Sequence, residues 1–238
     1  SYAFSRCSNL ASVTINSVTN IESNAFLNCT NLTDITINSV TNIGSNAFDN
    51  CYKLTSLTIL GGLTSIGDYA FSRCSILTNI TIPESITDIG YKAFYSNIIT
   101  NINYLGSIES WCKFKFAYKA RQFKLFINGE EAKDIVIPET VTEINGLWGC
   151  SSLTSVTILS GLTIINNDAF SGCCNLTNII IPNSIISIGE KAFYNCSSLT
   201  KIAIPNSVMS IGKNAFQYCS NLTSINYLGN IESWCKIE

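Results

Sequence analysis

Apolar and polar positions along this chain follow a pattern that restarts every 22 or 23 residues. In Leu32-Thr33-Asp34-Ile35-Thr36-Ile37 the last residues alternate with period 2, which predicts a short strand with one face turned inward. Pro83, Pro138, Pro182 and Pro205 follow their strands directly, where a missing N–H costs least and the chain must turn. An Ile-Gly step, as in Ile89-Gly90 or Ile188-Gly189, predicts a second bend, and the stretch x-x-Ala-Phe-x-x-Cys is long enough for one helical turn.

The Ala-Phe pair recurs at Phe4, Phe26, Phe48, Phe71, Phe94, Phe170, Phe193 and Phe216. Three residues beyond most of these stand Cys7, Cys29, Cys51, Cys74, Cys173, Cys196 and Cys219; Cys150 belongs to the same slot, with Leu147 where Phe is expected. Three residues further comes a Leu, from Leu10 and Leu32 to Leu199 and Leu222. One such unit cannot bury its own apolar face. Stacked units bury a continuous one, Leu on Leu, Ile on Ile, Phe on Phe and Cys on Cys, so the period predicts a repeat solenoid.

The period breaks between Phe94 and Cys150. Residues 102–113, ending Trp111-Cys112-Lys113, recur nearly verbatim as residues 225–236, ending Trp234-Cys235-Lys236. A longer irregular unit is therefore expected at about residues 103–134 within a single solenoid over 1–238, itself expected to be a slice of a longer array. Leu125 to Ile127 followed by Asn128-Gly129 predicts a strand entering a tight turn, with Asp134-Ile135-Val136-Ile137-Pro138 as the returning strand of a regular unit.

The string C-x-x-L-T-x-I-x-I-P-x-S-V-T-x-I-G-x-x-A-F, matched at nearly every position by residues 196–216, resembles the BspA-type leucine-rich repeat, and the resemblance covers essentially the whole chain. It implies an α/β repeat fold. This is a right-handed leucine-rich-repeat solenoid (horseshoe) with one short parallel strand per unit, short helical or irregular segments on the other side, and the strand face concave. It further implies an extracellular or cell-surface protein of the kind involved in adhesion, and brings no catalytic residues with it.

Composition narrows the chemistry. Of 238 residues, 13% are charged, about half the usual ~25%, and the net charge is -2, which excludes a disordered or nucleic-acid-coating chain. With no His, the commonest general base and the commonest metal ligand are both missing, so neither enzyme, cofactor nor metal is expected. No apolar run reaches the 18 residues that would span a bilayer. The 11 Cys do not read as a disulfide framework, because eight fall in one repeat slot beside the Phe, where a small apolar thiol serves. The odd total and the extra Cys174 agree, and Cys112 and Cys235 are expected beside their Trp neighbours. The Asn-x-Ser/Thr sequons arise mostly from the repeat consensus and would be glycosylated only in a eukaryotic source.

Two surfaces could bind a partner. Outward strand positions, the second and fourth after each Leu, include Asn79, Thr81, Asn101, Asn103, Val136, Asn178, Ile180, Lys201 and Ala203. Mostly this is a carpet of Ser, Thr and Asn, which either simply suits exposed strands or offers a neutral hydrogen-bonding surface for weak multivalent contact with a glycan or extended protein. Val136, Ile180 and Ala203 interrupt the carpet and mark the C-terminal half as the better apolar contact. The second surface is the basic insert Lys113, Lys115, Lys119, Arg121 and Lys124, interleaved with aromatics. It could grip an anionic glycan or acidic protein, or its Phe114, Phe116 and Phe123 could plug the core while the Lys residues stay wet. The expected function is a recognition module for a protein or glycan on a host or neighbouring cell; the alternative is a structural spacer that self-associates.

Overall fold

The computed structural model describes residues 1–114 and 122–230. Among these residues the chain forms two compact units, one of residues 1–106 with 126–129, the other of residues 107–114, 122–125 and 130–230. Both are stacks of coils whose strands pair in parallel.

In the first unit the strands Ser12–Ile15, Asp34–Ile37, Ser56–Ile59, Asn79–Pro83 and Asn101–Leu105 lie side by side. Their register aligns Val13, Ile35, Leu57, Ile80 and Ile102 in one inward column and Thr14, Thr36, Thr58, Thr81 and Asn103 in one outward column. The predicted period-2 alternation thus sets the walls of the core. The first four of these five coils also have a second strand, which the periodicity did not predict because it is only two residues long. Asn20–Ile21, Asn42–Ile43, Ser65–Ile66 and Asp88–Ile89 form a separate parallel sheet. Its outer row links coils through side chains: Asn42 Nδ2 donates to Asn20 Oδ1 at 2.9 Å, and Ser65 Oγ donates to Asn42 Oδ1 at 2.7 Å.

The glycine after this second strand is needed for proximity, where the sequence suggested a bend. The Gly67 N–H donates to Ile43 O of the coil before at 2.7 Å. A Cβ on Gly67 would lie 2.6 Å from Ser45 N and 2.8 Å from Gly44 C, both backbone atoms. Gly44, Gly90, Gly189 and Gly212 stand in equally close backbone contact.

The Ala-Phe segment is a left-handed double turn, where the spacing suggested a helical one. Two residues bracketing Ala-Phe have positive φ: Asn24 and Asn28 at 61°, Asn46 at 55° and Asn50 at 64°, Asp168 at 59° and Gly172 at 78°. These types tolerate left-handed backbone best. Amides then alternate in direction. The N–H groups of Ala47, Asp49 and Cys51 close local turns, while those of Asn46, Phe48 and Asn50 donate to Asp68, Ala70 and Ser72 of the next coil at 2.9, 2.7 and 3.0 Å. A helical turn would have pointed its amides along a single axis instead of sending alternate ones to the next coil.

Inside, Phe4, Phe26, Phe48, Phe71 and Phe94 form one stack with centroids 5.0 to 5.5 Å apart and planes within 11° of parallel. Phe170, Phe193 and Phe216 repeat it in the second unit. The adjoining thiols bond along the stack. Cys29 Sγ donates to Phe4 O at 3.2 Å, Cys74 Sγ to Phe48 O at 3.4 Å and Cys196 Sγ to Phe170 O at 3.2 Å. Cys173 Sγ meets Leu147 O in the same way at 3.1 Å, so Leu147 occupies the Phe slot as its spacing indicated. Asn97, three residues after Phe94, takes the thiol's place and donates Nδ2 to Phe71 O at 3.1 Å.

The second unit pairs Asp134–Ile137 with Ser155–Ile158 and that strand with Asn178–Ile180, then Lys201–Ile204 with Ser224–Tyr227. Its irregular part holds a helix, Ile108–Lys113, with a reciprocal Ser107/Ser110 capping box. Trp111 and Cys112 are buried side by side, and Trp111 Nε1 donates to Gly146 O at 2.8 Å. Phe114 and Phe123 are buried against Trp111, while Phe116 and Cys235 lie outside the described residues. The strand Lys124–Ile127 does enter an Asn128-Gly129 turn, with φ of 51° and 88°. Asp134–Ile137 is the strand of a regular unit, as expected, and pairs in the parallel sheet, while the strand that follows the turn directly is Glu130–Glu131.

Candidate binding face

Register decides which strand side chains face out. In the first unit Asn79 is exposed and Thr81, Asn101 and Asn103 are half-buried. Asn101 Nδ2 donates to Asn79 Oδ1 at 2.7 Å, and Asn103 Oδ1 accepts the Gly129 N–H at 2.9 Å. These polar groups are therefore partly spent on neighbouring rungs, and Asn103 on holding the turn.

The second unit is different in kind. Val136, Thr157 and Ile180 fall in one outward column, where the first unit has Thr or Asn throughout. Val136 and Ile180 are each 53% exposed, and Ala203 is exposed as well. An open groove of about 630 Å³ runs along this face, lined by Asn178, Ile180, Lys201, Ala203, Ser224 and Asn226 among others. Four of the expected face residues, Asn178, Ile180, Lys201 and Ala203, are thus brought together on one depression. Lys201 is exposed and has no ion pair among the described residues.

The basic insert is less free than its sequence indicated. Lys113 Nζ sits 2.9 Å from Glu109 Oε1, one helical turn back, and this contact, with help from Thr140, holds the Glu109 carboxyl below its ordinary range. Lys124 and Lys133 each lie 3.2 Å from Glu131, which they shift down in the same direction. The acids that neutralise these cations come from before and after the basic run. Lys115, Lys119 and Arg121 lie outside the described residues.

The buried thiols of the second unit are poor nucleophiles. Burial pushes Cys150 up to about 11 and Cys112 up to about 12, and drives Cys173 and Cys196 upward in the same direction. A thiol becomes reactive as its thiolate, so these groups are inert packing. Among the described residues no three metal-ligating side chains converge, and no helix is long and apolar enough to cross a membrane.

One cluster escaped the sequence reading. On the Ala-Phe side of the first unit, Tyr69 and Tyr91 meet edge to face with centroids 5.7 Å apart. The Lys92 ammonium lies 5.1 Å from the Tyr91 ring centre and 4.9 Å from that of Tyr95. The available signal was a departure from the repeat: Tyr69 and Lys92 stand where earlier coils have Asn24 and Asn46.

The sequence profile described as "BspA type Leucine rich repeat region" matches in six copies over residues 1–122 and 119–236. A search of curated proteins finds no match. Among solved structures, a leucine rich cell surface protein from Faecalibacterium prausnitzii is 28% identical with a TM-score of 0.50, the match covering 100% of this chain and 78% of that one. The pneumococcal vaccine antigen PcpA is 22% identical with a TM-score of 0.57, covering 93% of this chain and 63% of its own, a likeness of fold.

Proposed function

Because the chain belongs to the BspA-type leucine-rich repeat family, we propose that it is a non-enzymatic recognition module of a surface or secreted protein, binding a protein or glycan partner through the strand face of its second unit. The observation that carries this reading is the replacement of outward Thr by Val136, Ile180 and Ala203, the last two lining a groove with Lys201, a cation that has no ion pair among the described residues. Exposed β-branched and apolar side chains gain nothing from water, and an apolar patch rimmed by Asn and Ser is the usual mark of a contact surface. The cell-surface relative from Faecalibacterium supports the location.

The test is binding of the purified chain to arrays of extracellular-matrix proteins and of glycans, compared with Ile180→Thr/Ala203→Thr, which restores the polar carpet, and with Asn79→Ala on the first unit. Loss of signal by tenfold or more in the double variant, with an unchanged melting temperature and little effect of Asn79→Ala, is the expected result. Concentration-dependent self-association by light scattering with no array signal would replace this reading with that of a structural spacer.

A further inference from the structure

From the Tyr69, Tyr91, Tyr95 and Lys92 cluster on the Ala-Phe side of the first unit, we infer a second binding site, independent of the strand face, that takes a sugar ring bearing a carboxylate. Tyr69 with φ at 56° and Lys92 at 51° occupy the left-handed slot that Asn24 and Asn46 hold at 61° and 55°, and that Tyr2 holds at 61° and Lys191 at 53°. Left-handed backbone belongs to the turn whatever residue fills it, so any selection at these two positions acts on the side chains.

The side chains say what that is. Tyr91 is 60% and Tyr95 43% exposed, so neither ring is core. The Tyr69–Tyr91 edge pair and the Tyr95 ring, joined through the Lys92 ammonium, offer flat apolar surface with hydroxyl tips, which suits the alternating C–H faces and hydroxyls of a pyranose. The Lys92 ammonium already occupies the ring faces of Tyr91 and Tyr95, so an external cation is excluded and the site presents positive charge. No carboxylate forms an ion pair with Lys92 among the described residues; Asp68 Oδ1 accepts the Tyr91 N–H at 2.7 Å. The corresponding Lys191 of the second unit, beside the Tyr194–Tyr218 edge pair, is instead neutralised by Glu190 at 3.2 Å. Size favours a small ligand: a stable protein interface covers roughly 800 Å² per partner, far more than three tyrosines provide, whereas one or two sugar rings fit.

The experiment is saturation-transfer NMR and titration with oligogalacturonate, using its methyl ester as the neutral control and a Glu-rich peptide as the non-sugar anion. The free acid should bind, with Tyr ring protons as the contact, and the ester and the peptide at least tenfold more weakly. Lys92→Asn should abolish the preference for the acid. Tyr69→Asn should weaken binding severalfold. Equal binding of the ester or the peptide, an undiminished acid preference in Lys92→Asn, or undiminished binding in Tyr69→Asn would each overturn the site. Both substitutions install the residue that Asn24 and Asn46 supply in this slot of earlier coils, so the variants fold.

Discussion

Replacing Gly67 with Ala tests the closeness of the coils directly. The new Cβ would meet Ser45 N at 2.6 Å, Gly44 C at 2.8 Å and Ile43 O at 3.0 Å. Ordinary contact begins near 3.4 Å. All three atoms are backbone, and the 2.7 Å bond from Gly67 N to Ile43 O fixes their separation, so no side chain can swing aside. Overpacking of this kind costs ~1–3 kcal/mol, here toward the upper end, while stiffening of the unfolded chain returns about 0.4–1 kcal/mol. The net loss is about 2 kcal/mol, or roughly 4–8 °C in melting temperature for a chain of this size. Gly61→Ala is the matched control, since its Cβ would meet only Asn38 O at 3.5 Å. It should melt at or about 1–4 °C above the parent, through the unfolded-state term alone. Circular-dichroism melts of the three proteins give the answer. Were Gly67→Ala to melt with or above the parent, the inter-coil spacing argued above would be wrong.

Two other outcomes follow from the thiol column. Cys112 and Cys150 are protonated in the fold up to about 12 and 11 but titrate near ~8.5 once unfolded, so their contribution is complete below about pH 8.5 and falls as pH rises toward 11, by about 1.4 kcal/mol per pH unit per thiol. The urea midpoint of the parent should therefore drop more steeply between pH 9 and 11 than that of Cys150→Ala; parallel curves would contradict the burial. At the Cys slot occupied by Asn97, Asn97→Cys should be neutral or stabilising by up to ~1 kcal/mol, because it keeps a donor to Phe71 O and removes the buried, unpartnered Oδ1, while Asn97→Leu should lose at least ~1 kcal/mol through the missing donor. Urea denaturation of both variants settles the order.

Much of the architecture was legible in the spacing of a few residues. The Phe, Cys and Leu columns appear in space as they appear in the chain, and even Leu147 could be assigned from Cys150 alone. Legibility failed where two structures share one spacing. Ala-Phe-x-x-Cys has the step of a helical turn, and only the Asn-rich flanks at 24, 28, 46 and 50 betray the left-handed alternative. Gly67 was readable as special but not why, since close approach is a property of two coils and the sequence lists one. Asn97 was hidden because Ile99 takes the Leu slot one residue early. On the candidate face, Val136, Ile180 and Ala203 stood out against Thr. The insert's charges misled because Glu109 and Glu131 lie outside the basic run yet reach into it.

The alternating amides of the Ala-Phe turn bear on how such a chain can change over generations. Asn46, Phe48 and Asn50 donate forward to the next coil, and that coil's Tyr69, Phe71 and Arg73 donate forward again to Tyr91, Ala93 and Tyr95. Regular coils thus present the same acceptors below and the same donors above, whatever their side chains. A coil duplicated or deleted by recombination leaves matching surfaces on both sides of the splice, so copy number can drift in steps of one coil without redesign. Outer side chains that make no bond to the next rung, such as Ile180 and Ala203, are then free to diverge coil by coil.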